Sequence, residues 1–458
     1  MTATEESLPK TGLAGMISRN YFPLKMAFLL FLVLLLFIAL EVIGGVISER
    51  TWRRDSVVAD ISRTWGQAQT LAGPLLVIPY RYYIERQEGD ERELLERKAD
   101  AFFLPDRLEV SATLEPEIRY RGIFEAILYT TAVEVAGSFA TPNFDRLKIA
   151  PEDVFWDEVI LAFGVTDLRG AAGAPALNWA GTEIPFEPGT SSEVLKSGVH
   201  VPLAIAGPSL GGSEEHPFSL AIKFTGNRAI SFSPTAKATS VALTSPWPHP
   251  SFHGAYLPSE RKVADSGFSA RWEVSYLGRD YPQFWTSRSS GAADMESRLS
   301  ASQFGVSLIS PVDFYLMSER SIKHGLLLIV LIFAAIFIFE IVAALKVHFF
   351  QYSLVGGALC LFYLLLLSLS EILGFGPAYG LAAALSTGLI ALYMGHVLSG
   401  WRRAGLIAVI LGGVYGYLFV ILQLEAYALL AGSLGLFLAL AAVMYTTRKI
   451  DWYAIRRP

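Results

Sequence analysis

The sequence predicts a membrane-embedded α-helical bundle of six transmembrane helices joined to a β-rich, sandwich-like periplasmic domain. Three observations predict it. Apolar runs lie at 24–47, 325–345, 353–373, 377–398, 404–422 and 427–446, each close to the ~20 residues a helix needs to cross roughly 30 Å of hydrocarbon. The stretch 48–322 holds 26 of the 37 Lys and Arg and 35 of the 42 Asp and Glu, so the charge is gathered into one mildly acidic unit. Within that unit apolar and polar residues alternate, the pattern of strands with one buried and one wet face.

The short connections set the orientation. Lys10, Arg19 and Lys25 accompany the N-terminal tail, Lys346 follows the second run, Arg402 and Arg403 follow the fourth, and Arg448, Lys449, Arg456 and Arg457 follow the sixth. The connections near 373–377 and 424–427 contain neither Lys nor Arg. Basic residues mark the cytoplasmic side. The chain therefore reads as a cytoplasmic tail (1–23), a transmembrane signal anchor (24–47), a periplasmic domain (48–322), five transmembrane helices (323–447) and a cytoplasmic tail (448–458). The first run is too long for the apolar core of a cleaved signal peptide, and Val42–Ser48 offers no clean small-residue cleavage site. The single cysteine, Cys360, falls in the third run, so the exported domain holds no disulfide and no zinc site of cysteine ligands. Its stability must come from its own core.

Along the exported domain, Val57, Ile61, Trp65 and Ala68 recur at helical spacing and predict a short helix over 49–71, ended by Gly73-Pro74. Leu75–Tyr80 reads as a strand, and the densely charged 85–98 as an exposed hairpin tip or loop. Further strands are expected at 101–104, 107–113, 124–139, 159–165, 199–206, 218–224, 228–232, 237–243 and 268–277, with turns at Gly170–Pro175 and Gly207–Gly212. Ser310-Pro311-Val312-Asp313 predicts a helix start, with Ser310 as cap and Pro311 at the first helical position. That helix is expected to run unbroken through Arg320 and Lys323 into the second apolar run.

One stretch is distinctive: Thr244-Ser245-Pro246-Trp247-Pro248-His249-Pro250-Ser251-Phe252-His253-Gly254, followed by Leu257-Pro258 and Ser266-Gly267-Phe268. With Gly73-Pro74-Leu75, Glu187-Pro188-Gly189, Leu369-Ser370-Glu371 and Arg448-Lys449-Ile450-Asp451-Trp452-Tyr453, it resembles the CreD family over residues 25–454. The resemblance implies a bacterial inner-membrane protein of cell-envelope integrity. It implies an association with envelope stress, with a two-component system sensing disturbed cell-wall synthesis, and with altered tolerance of colicins and β-lactams. It brings no catalytic residue with it.

Two groups of residues stand out as candidate sites. Trp247, His249, Phe252, His253 and Tyr256 form a candidate partner-binding loop, since a proline-rich segment is pre-set and cheap to order. His249 and His253 are four apart, a spacing that suits a metal on a helix, but Pro248 and Pro250 oppose a helix and no third ligand is evident. Among the acids in or beside apolar runs (Glu41, Glu340, Glu371 and Glu425), Glu340 lies deepest. Such an acid is a functional suspect in lipid; a helix–helix hydrogen bond is the plainer reading. Gly412 and Gly416 have the spacing of close helix packing. No nucleophile elbow, phosphate loop or dinucleotide fingerprint is present, so no catalytic residue or cofactor is expected. The acidic balance of 48–322 speaks against nucleic acid. The expected partners are the lipid bilayer and an envelope protein, lipid or cell-wall-related ligand. The function read from this is non-catalytic binding or scaffolding, with transport or lipid handling by the bundle as the alternative.

Overall fold

In a computed structural model the described residues are 21–88, 91–171, 173–203, 215–310, 313–342, 347–398, 400–424 and 427–448. They include the helices α1 (Tyr21–Trp65), α2 (Ala292–Ala301), α3 (Phe314–Lys323), α4 (Gly325–Val342), α5 (Phe349–Leu373), α6 (Phe375–Val397), α7 (Trp401–Gln423) and α8 (Ala428–Thr447). The chain separates into two compact units, one of Asp55–Pro311 and one of Met1–Arg54 with Val312–Pro458.

The first unit is β-rich and built on two sheets. In the nine-stranded sheet, Gln69–Glu88 pairs antiparallel with Glu91–Phe103 and Ile160–Val165, and parallel with Ala229–Phe232. Phe304–Leu308 and then Pro250–Gly254 extend it. The eight-stranded sheet runs in the order Glu260–Ala264, Gly267–Ser275, Ala238–Ser245, Arg107–Arg121, Phe124–Phe139, His216–Asn227, Ala176–Trp179, Thr182–Pro185. Alternation works as the sequence leads one to expect. In Gly267–Ser275, Phe268, Ala270, Trp272 and Val274 are buried and the residues between Ala270 and Ser275 that separate them are exposed. Leu76 and Ile78 of one sheet and Val110, Val133, Val241 and Trp272 of the other join in a single core. The last turns of α1 add Val58, Ile61 and Trp65 beside Ala126 and Leu128. Met295 and Leu299 of α2 lie with Leu75, Val77, Phe102 and Trp285 in a separate cluster.

The second unit is helical. Leu29, Leu32, Leu36, Leu40, Ile43 and Ile47 of α1, spaced three or four apart, form one buried stripe. Gly356 of α5 lets that stripe close in: a Cβ there would stand 2.3 Å from a Leu36 methyl carbon. His348 and Gln351 form a reciprocal cap at the start of α5. Among the described residues, five helices (α1 and α5–α8) are long and apolar enough to cross a membrane, and a sixth crossing results if α3 and α4 count as one bent span.

Several expectations are corrected. α1 is one helix from Tyr21 to Trp65, and Gly73-Pro74 does not end it. That pair lies inside the strand Gln69–Glu88, where the register shifts between Ala72 and Leu75; a bulge tolerates a residue without an N–H. Of the two readings of residues 85–98, hairpin tip or loop, the structure has the hairpin, paired out to Glu88 and Glu91, with Arg86 opposite Glu93. Asp313, not Ser310, caps α3, its carboxylate accepting from the backbone of Tyr315 (3.0 Å) and Leu316 (3.2 Å). The helix also does not continue unbroken: α3 and α4 meet at 46°. His324 turns its N–H back to the Ser321 carbonyl, and Gly325, with no Cβ to hold the helix, follows at the break. The short strands beyond residue 245 and helix α2 have too little periodicity to be read from sequence. Lys10, Arg19, Lys346, Lys449, Arg456, Arg457, Glu425, the 207–212 turn and the Asp451–Tyr453 end lie outside the described residues.

Candidate functional site

The proline-rich motif folds as the strand Pro250–Gly254 with flanking loops, and most of its aromatic rings turn inward. Phe252 meets the rings of Phe268 (5.9 Å) and Trp272 (5.8 Å), and Tyr256 meets Phe304 edge-on at 5.8 Å. The Tyr256 hydroxyl donates to the Gly278 carbonyl (2.7 Å), and the Trp247 indole N–H donates to the Ile309 carbonyl (3.0 Å). Phe252 and Phe304 belong to one sheet, Phe268 and Trp272 to the other, so these rings clasp the sheets together. His253 Nε2 is buried with no hydrogen-bond partner among the described residues, whereas His249 is exposed. Among the described residues no cluster of three or more His, Cys, Asp or Glu is placed to hold a metal ion.

Glu340 sits near the end of α4 in a buried polar knot. The Lys25 ammonium of α1 lies 2.6 and 2.5 Å from its two oxygens and donates also to the Val347 carbonyl at 2.9 Å. The Tyr352 hydroxyl of α5 donates to Glu340 (3.0 Å), as does the Val347 N–H (3.3 Å). Lys25 is 2% exposed and Glu340 8%, so charge, counter-charge and donors are matched inside protein, as a buried ion pair requires. A second polar group lies further along α1. Arg54 pairs with Asp313 at 2.7 Å, Arg50 lies 3.8 Å from Glu371, and the Tyr315 hydroxyl donates to Glu371 at 3.0 Å. Lys25 and Arg50 are roughly 37 Å apart along the helix at 1.5 Å per residue, and the apolar stripe fills the interval.

Sequence inspection singled out Glu340 and missed its partner, although a signal existed: Lys25, Leu29, Leu32 and Leu36 lie on one helical stripe, so Lys25 belongs to the buried face.

A further site emerges only from strand register. On the outer face of the eight-stranded sheet one cross-strand row runs Ser240, Glu109, Ala136, Ser219, Asn178, Glu183, and the next runs Arg271, Ala242, Ser111, Glu134, Ala221. Small side chains across several adjacent strands leave a trough of about 810 Å³. Its charged groups are Glu109, Glu134, Glu183 and Arg271, none of which has an ion-pair partner among the described residues. Such a surface can take an extended, slender ligand with positive charge.

Residues 21–453 match the family model described as "Inner membrane protein CreD". The Inner membrane protein CreD of Escherichia coli (strain K12) is 34% identical over 436 residues, covering 95% of this chain and 94% of that protein. The chain belongs to the CreD family. With its apolar helices, this CreD-family protein is a multi-pass inner-membrane protein. The Trp247–Tyr256 motif by which the sequence resembles the CreD family is thus, in this chain, largely an inter-sheet clasp.

Proposed function

We propose that this chain is a non-catalytic binding and scaffolding protein of the cell envelope. In this reading six spans hold it in the inner membrane, both termini are cytoplasmic, and residues 48–322 face the periplasm. The loop charges support that orientation. Two polar groups on α1, separated by roughly 37 Å at 1.5 Å per residue, bracket an apolar stretch a little longer than ~30 Å of hydrocarbon.

The observation that carries the binding role is the acidic, small-residue trough of the eight-stranded sheet. Its charge favours a cationic, extended segment of an envelope protein, which opposite potential would steer and orient. The test is a photo-crosslinking residue at Ser219, in the trough, compared in intact cells with one at Leu257, which is 71% exposed outside it. An envelope protein captured from 219, and lost on Glu109→Gln with Glu134→Gln, supports the reading. No adduct from 219, or an adduct indifferent to both substitutions, contradicts it.

Transport by the bundle is the second reading, favoured by Glu340 being an ionisable residue inside a span. Its pairing with Lys25 and Tyr352 supports a fastening of α1 instead. Glu340→Gln with unchanged solute or lipid flux removes the transport reading.

A further inference from the structure

Helix α8 is fastened to α7 near its start, and a groove opens beside it towards its C-terminus. Near its start the Tyr417 hydroxyl of α7 donates to the Ala431 carbonyl. Gly435 presents bare backbone to the same ring, where a Cβ would stand 2.3 Å from a ring carbon. Towards its C-terminus the contact opens. No residue of α8 is buried, and residues of α4, α7 and α8 line a groove of about 750 Å³. That volume is within the ~300–1,000 Å³ of small-molecule sites. Ala335 of α4 and Ala442 of α8 line it. Side chains this small allow helices to close; here they give the groove its width.

The groove has a polar end. Ile336, Ile407 and Val443 are typical of its walls, while Tyr445, Thr446 and Arg448 lie at the α8 terminus. The Arg448 guanidinium rests over the Tyr445 ring at 4.0 Å and has no carboxylate partner among the described residues. α7 starts at this end of the groove and carries Arg402 and Arg403 in its first turn. We propose that the groove binds one anionic glycerophospholipid, with an acyl chain between α4, α7 and α8 and the headgroup phosphate on Arg448. Charge complementarity selects this occupant, since basic pockets between membrane helices suit anionic headgroups. A second copy of an apolar helix would fill the walls but leave the guanidinium at the groove's polar end without an anionic partner. The inference needs the helical unit to stand in a bilayer and is independent of the trough.

Full-length protein in neutral detergent, titrated separately with phosphatidylglycerol and with phosphatidylcholine of the same acyl chains, tests it by native mass spectrometry of retained lipid. The expected result is one phosphatidylglycerol held about fivefold more tightly than phosphatidylcholine, the worth of one basic side chain at an anionic headgroup. Arg448→Glu should abolish the preference and Arg448→Lys keep it; Ala442→Phe should reduce retention of both lipids at unchanged unfolding temperature. Arg448 and Ala442 are exposed, so these changes spare the core. Equal retention of the two lipids overturns the proposal. So does a preference unaltered by Arg448→Glu, retention unaltered by Ala442→Phe, or a dimer that excludes lipid.

Discussion

Lys25 and Glu340 are the residues where chemistry and position are most tightly matched. Each has lost its water, and each is compensated by the other and by Tyr352 and Val347. Removing one partner strands a buried charge, which costs about 3–5 kcal/mol, whereas replacing both by apolar residues of similar volume is close to neutral. Lys25→Met alone should therefore lower the unfolding midpoint of the detergent-solubilised protein clearly, and Lys25→Met with Glu340→Met should restore most of it. A double variant as unstable as the single one would refute the pairing. Glu340 was legible in the sequence because an acid inside an apolar run is conspicuous. Its partner lies 315 residues away, and no local spacing links the two.

Asp167 gives a second test at this scale. Arg169 hydrogen-bonds its carboxylate at 2.8 Å and holds it below the usual aspartate range, despite partial burial that pushes the other way. A depressed folded-state value contributes stability above the unfolded value of ~3.9 and loses it as pH falls through the folded one. Asp167→Asn should thus flatten the loss of stability below about pH 4, followed by tryptophan fluorescence during urea unfolding. An unchanged acid slope would remove Asp167 from the acid response. The exposed Arg169 keeps the effect modest.

At the scale of elements, the Pro250–Gly254 strand decides between packing and docking for the Trp247–Tyr256 motif. Trp272 is fully buried against Phe252 and Phe304. Truncating such a ring costs about 3–5 kcal/mol. Trp272→Ala and Phe252→Ala should both destabilise the protein strongly, whereas Leu257→Ala, on the exposed flank, should stay within about 0.5 kcal/mol. Thermal unfolding of the three variants checks this, and a stable Phe252→Ala would return the motif to the surface. Long elements were legible because their periodicity is long: the apolar runs, and alternation such as Phe268–Val274. Gly73-Pro74 was misread because proline ends a helix but also sits in a strand bulge, and only pairing tells the two apart. The trough was invisible for a related reason. Ser111, Ala136, Ser219 and Ser240 become neighbours only when their strands are placed in register.

At the scale of the whole molecule, the proposed topology puts residues 48–322 in the periplasm. The charge of the short connections carries that claim, and every basic connection falls on one side of a six-span path. The β-rich unit suits such exposure: its shared core is continuous between two sheets without a disulfide, and the one cysteine lies buried in α5. That cysteine also makes the decisive measurement simple. In a Cys360→Ser background, single cysteines at Glu93 and at Arg402 are challenged with a membrane-impermeant maleimide, before and after the inner membrane is permeabilised. The proposed topology predicts labelling at 93 from the periplasmic side of intact spheroplasts, and labelling at 402 only after permeabilisation. Labelling of 402 in intact spheroplasts, with 93 protected until permeabilisation, would contradict it.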